Sequence, residues 1–215
     1  MHVSRNEVML AALKASRGAR LPNGLAEDIA GATLWLCDHN FPGLDVLYRA
    51  LSAAIAADES QPRSGQGGQT RSAPGHDDLQ DPPGRNAMMV YTGPSWIDLA
   101  LAEPGEALRV TDVDEPWLLL GLAGHAARLY KTALSMQWDN NNATLLSTSG
   151  AVWIGRRELS TAVTITVAMP ESVGEGLDIA PEKLARINQL AARTYVPASD
   201  ESRLKGAGAG IVDED

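Results

Sequence analysis

The sequence holds one cysteine, Cys37, among 215 residues, so no intrachain disulfide can brace the fold. Its four histidines, His2, His39, His76 and His125, stand at no HxH, HxxxH or HExxH spacing. With a lone cysteine this also leaves out a Cys-rich zinc site, and no metal or cofactor is expected. A GxSxG elbow is absent, which argues against a serine hydrolase. Basic runs are missing as well. Eighteen Lys and Arg face 27 Asp and Glu, for a net charge of -9. Such a chain repels phosphate backbones, and Arg156-Arg157 reads more simply as the polar end of a strand, so no nucleic-acid partner is expected. No stretch approaches the roughly 18 apolar residues that span a bilayer. The longest, Trp117 to Ala127, is interrupted by Gly121, Gly124 and His125. The opening Met1-His2-Val3-Ser4-Arg5 lacks the apolar core of a signal peptide, and a cytoplasmic protein without a membrane partner is expected.

What remains is a chain that can bury a core, with 44% hydrophobic and 21% charged residues. Ser4 and Glu7 have capping-box spacing ahead of Val8, Ala11, Ala12 and Ala15, predicting a helix from about Arg5 to Arg17, stopped by Gly18. Leu25, Ile29, Ala32 and Leu36 mark one face of a second helix. The turn Phe41-Pro42-Gly43 leads into a third, through Val46, Leu47, Ala50, Leu51 and Ala54. Residues 1–57 therefore form an N-terminal helical segment. Residues 58–86, rich in Gly, Gln, Ser and Pro, read as a low-complexity insert expected to be disordered rather than a lid.

Residues 87–215 read as the α+β part of the same domain. Met88-Met89-Val90-Tyr91 is expected as a short strand closed by Gly93-Pro94, and Leu108 and Val110 mark another. Asp114-Glu115-Pro116 opens a helix with Leu118, Leu122, His125 and Leu129 on one face and Gly121, Gly124, Arg128 and Lys131 on the other. A meander is expected next: Leu134 to Trp138, an Asn140-Asn141-Asn142 turn, Thr144 to Thr148, Ala151 to Ile154, and Thr161 to Met169. Pro181 begins a last helix with Leu184, Ile187, Leu190 and Ala191 together. The expected fold is α+β: an N-terminal helical layer packed on a mostly antiparallel sheet, with two further helices.

Two places invite chemistry. His125, an imidazole within a leucine stripe, needs a partner or must stay neutral, and a perturbed pKa there would suit acid–base catalysis; a single structural hydrogen bond explains it equally simply. Cys37 and His39, two apart on a helix, diverge and read as packing residues. Near the end, Arg193, Tyr195, Ser199, Glu201, Ser202 and Arg203 precede Gly206, Gly208 and Gly210. Glycine backbone permits close approach to a ligand, and successive N–H groups can cradle an anion, so an anionic small molecule is the expected ligand class. A mobile tail is the simpler account. The glycines follow a helix rather than a strand, which is the wrong context for a dinucleotide fingerprint.

Several of these residues also carry a resemblance. Val3-Ser4, Asn6-Glu7, Gly24-Leu25-Ala26-Glu27, Phe41-Pro42-Gly43, Thr194-Tyr195-Val196-Pro197-Ala198-Ser199, Ser202-Arg203 and the closing glycines resemble an uncharacterised bacterial family, domain of unknown function 3726. That resemblance implies a bacterial, soluble, single-domain protein and no particular activity. The helical start is fainter in its similarity to type-2 malate and lactate dehydrogenases, whose Asp-Ser-His-Gly segment supplies a catalytic histidine. Here Asn40-Phe41-Pro42-Gly43 stands at the comparable place, so hydride transfer is not expected. Three functions follow as expectations: a small-molecule-binding protein or small enzyme for an anionic metabolite, an accessory module with a protein partner, or a degenerate dehydrogenase-like helper.

Overall fold

The computed structural model describes residues 1–60, 88–111, 113–139, 142–148, 155–159, 162–167 and 176–194. Strand β1 (His2–Ser4) runs into helix α1 (Arg5–Gly18), followed by α2 (Asn23–Asp38) and α3 (Gly43–Ser60). Then come α4 (Met89–Ala102), β2 (Ala107–Val110), α5 (Pro116–Tyr130), β3 (Ala133–Asp139), β4 (Asn142–Thr148), β5 (Gly155–Leu159), β6 (Ala162–Val167), β7 (Gly176–Asp178) and α6 (Pro181–Ala192).

The capping box forms as its spacing predicts. Ser4 Oγ accepts the Glu7 N–H at 3.2 Å and Glu7 Oε2 accepts the Ser4 N–H at 2.7 Å, which holds the Glu7 carboxyl below its ordinary range. Helix α3 continues to Ser60, beyond the expected end at 57, and Asp58 on its last turn meets Arg20 at 3.2 Å. The rest of the 58–86 insert lies outside the described residues.

Met88 to Tyr91 corrects the sequence reading: they open helix α4, not a strand. Their donors are met from two directions. Asp114 Oδ1 accepts the Met89 N–H at 2.9 Å, and the Met88 carbonyl accepts from Tyr91 and Thr92. Pro94 removes one interior N–H, yet Met89, Val90, Gly93, Pro94 and Ile97 are all buried, so packing outweighs the lost hydrogen bond. Asp114 and Glu115 are likewise spent on other elements than α5, since Glu115 takes a two-pronged contact from Arg49 on α3 at 2.9 and 3.0 Å.

Helix α5 has no solvent-facing glycine stripe. Residues Leu118 to Gly124 are buried without a break. A Cβ at Gly121 would stand 2.8 Å from the Ala32 carbonyl oxygen, and one at Gly124 would stand 2.1 Å from the Trp35 indole. The glycines are the side on which α2 lies against α5. Helices α2 and α5 thus form the centre of the helical body, with α1 and α3 against α2, α4 against α5, and α6 against α1.

The fold is α+β. Among the described residues all strand pairings are antiparallel, in a five-stranded sheet of order β2-β4-β3-β6-β5 and a two-stranded one, β1-β7. Strand β3 lies in the middle, paired on both sides, rather than in a sequential meander. Leu134 and Met136 are buried beneath α5 while Gln137 is exposed, which is the expected alternation. Helices α4 and α5 make the contacts between helical body and sheet. The segment 151–154, expected as a strand, lies outside the described residues, as do Asn140 and Asn141.

Candidate functional site

Two recesses flank α2. The larger is a cleft of about 620 Å³ between the α2–α3 turn and the β7–α6 junction. One wall is Cys37, Asp38 and residues 40–45; the other is residues 176–180 and Lys183. The first wall exists because α2 must stop. Pro42 has no N–H to offer the Asp38 carbonyl, four residues back, and Asn40 turns left-handed at φ 59°. The second is tied to the N-terminus by β1–β7 pairing and by a Met1 ammonium bond to the Ile179 carbonyl at 2.8 Å.

Each titratable group of the cleft has a definite setting. Cys37 Sγ accepts the N–H groups of Leu44 and Gly43 at the start of α3, while burial pushes its thiol up to about 11. It is protonated at neutral pH. His39 is turned away from it: Nδ1 lies 2.7 Å from the Trp35 carbonyl, and the ring stacks on the Trp35 indole at 4.0 Å. No thiol–imidazole dyad forms. The Asp38 side chain is 1% exposed, held by Arg5 at 2.7 Å and Arg128 at 3.4 Å. Burial raises its carboxyl and the two guanidiniums oppose the rise. Lys183 Nζ meets Asp45 at 2.6 Å, and Arg186 meets the same carboxylate at 3.3 Å.

The smaller recess, about 40 Å³, lies between α2, α4 and α5 and contains His125. That ring rests on α2 where Gly31 has no side chain, since a Cβ there would stand 2.4 Å from it. His125 Nδ1 is buried without a hydrogen-bond partner among the described residues, and burial, with Arg128 nearby, holds the imidazole below its ordinary pKa. At the mouth, burial and the facing Asp98 raise the Asp28 carboxyl.

Of the sequence-predicted site residues, the structure describes His125 and Arg193, which stand on different helices, α5 and the end of α6. His125 belongs to the small recess and does not line the cleft. Arg193 caps the far end of α6, exposed and paired with Glu59 at 3.0 Å. Tyr195, Ser199, Glu201, Ser202, Arg203, Gly206, Gly208 and Gly210 lie outside the described residues. The cleft residues Lys183, Asp45 and Asp178 were missed by sequence reasoning. Their one legible signal is the Asn40-Phe41-Pro42-Gly43 turn, already marked by its place in the dehydrogenase resemblance.

Among the described residues no group of three or more His, Cys, Asp or Glu side chains could hold a metal ion, and no helix is long and apolar enough to cross a membrane. A family model described as protein of unknown function (DUF3726) matches residues 3–106, which includes the first wall of the cleft and not the second. No curated protein and no solved structure matches the chain.

Proposed function

We propose that the chain, whose residues 3–106 match the DUF3726 family model, is a small-molecule-binding protein whose ligand carries an anionic group. The ligand occupies the cleft between the α2–α3 turn and the β7–α6 junction. The observation that carries this reading is the cleft itself, about 620 Å³ and holding Lys183 in a chain of net charge -9. Small-ligand sites fall in the range of about 300 to 1,000 Å³. Two cations, Lys183 and Arg186, share the single Asp45 carboxylate, which leaves positive charge for a ligand. Helix α6 begins beside them with no side-chain cap, so its positive end adds to the attraction.

Binding is favoured over thiol catalysis because Cys37 is protonated and has no base beside it. The proposal keeps the ligand class expected from sequence and moves its position. Lys183 and Arg193 are ten residues apart on or beside α6, about 15 Å of helix rise, so the Arg193–Gly210 cluster starts from the opposite end. A bacterial, cytoplasmic protein is part of this reading.

The test is a thermal-shift screen of carboxylates and phosphates on the full chain and on Lys183→Met. At a ligand concentration of 100 Kd, binding stabilises by about 2.7 kcal/mol, a shift of several degrees. Stabilisation that the variant loses supports the proposal. No stabilisation by any compound, or stabilisation that Lys183→Met leaves intact, removes it.

A second reading, an accessory module with a protein partner, has one observation behind it. Leu129 and Tyr130 stand side by side at the end of α5, 61% and 60% exposed. A stoichiometric partner lost on Leu129→Ser would favour it. The dehydrogenase-like helper rests on the opening residues alone.

A further inference from the structure

Building on the cleft reading, we infer that the ligand is a zwitterion, a free amino acid or a close amino-carboxylate. The walls of the cleft are of both signs. Lys183 and the uncapped start of α6 suit a carboxylate. Around them, one on the facing wall and one on their own, stand features that repel a simple anion and attract an ammonium.

The first is the end of α2. Asp38 lines the cleft although its side chain is only 1% exposed, so its main chain is what faces the space. Its carbonyl would receive a helical hydrogen bond from residue 42, and residue 42 is proline. Among the described residues no backbone N–H bonds to that oxygen: Phe41 donates to Leu36, and Gly43 to Phe41. An open carbonyl at the negative end of a sixteen-residue helix is an acceptor waiting for a donor.

The second is Asp178. The residue lines the same cleft from β7, and its side chain is 91% exposed and meets a largely solvated His2 at 3.3 Å. Asp38 itself contributes no free charge, because Arg5 and Arg128 hold its carboxylate. A pure anion would meet Asp178 and the α2 carbonyl unfavourably, and a pure amine would meet Lys183. A molecule with both charges satisfies the groups of both signs.

Calorimetric titration of the full chain with the free protein amino acids, each beside its des-amino carboxylate (alanine with propionate, aspartate with succinate), decides the matter. The expected result is at least tenfold tighter binding of one amino acid than of its des-amino partner. Asp178→Asn should narrow that gap while circular dichroism stays unchanged. Equal or tighter binding of the carboxylates overturns the zwitterion inference and leaves the cleft reading standing. A gap that survives Asp178→Asn and is present equally in Lys183→Met places recognition elsewhere and overturns it too. Absence of binding by either series overturns both.

Discussion

The cleft and the His125 recess lie against the same helix, α2, and differ in almost every physical respect. The cleft is roomy, is lined by side chains of both signs, and has a main-chain carbonyl left open by a helix end. The recess has about 40 Å³, room for little more than a water molecule, and an imidazole pressed onto a glycine. Both contain a group that sequence reasoning would single out for chemistry, Cys37 in one and His125 in the other. In both cases burial drives that group toward its neutral form. A reactive residue type is thus a poor guide here; room is the better one, and it is found in the cleft.

The sharpest way to break this comparison is to fill the tightly packed side. Gly124→Ala puts a methyl 2.1 Å from the Trp35 indole, whose ring is fully buried and cannot withdraw. We expect a loss of about 3 kcal/mol, read as a lower urea midpoint at unchanged slope. A variant as stable as the parent would mean that α2 and α5 are not in contact there.

Cys37 tests the cleft side. With its thiol pushed up to about 11, alkylation by iodoacetamide at pH 8 should be on the order of a hundredfold slower than for an ordinary thiol near 8.5. Mass spectrometry of the intact chain follows the rate. Fast alkylation at pH 8 would show a thiolate in the cleft and reopen thiol chemistry.

The smallest effect separates the two histidine accounts. Because burial lowers the His125 pKa, the unfolded chain binds that proton more readily. The neutral ring costs nothing above the unfolded value of about 6.5, and stability falls as pH drops through that value until the folded group also titrates. The parent should therefore lose melting temperature between pH 7.5 and 5.5, and His125→Phe should lose less. The difference between the two proteins isolates this group from Asp28, Asp38 and Asp114, whose raised pKa values act in the opposite sense at lower pH. Identical profiles would mean that His125 reaches solvent freely.

Sequence alone determined the elements whose signals are local. The Ser4–Glu7 box, the spacing of Leu184, Ile187 and Ala191, and the alternation of Leu134, Met136 and Trp138 each declare a helix start, a buried face or a strand within a few residues. Tertiary structure decided what depends on partners far along the chain. Met88 to Tyr91 are helical because Asp114, 25 residues on, accepts the first N–H. Strands β1 and β7 are three residues each, too short to show in sequence, and exist because His2 to Ser4 pair with Asp178 to Gly176. The cleft follows from that pairing, since its two walls come from opposite ends of the described chain and no local pattern encodes the distance between them.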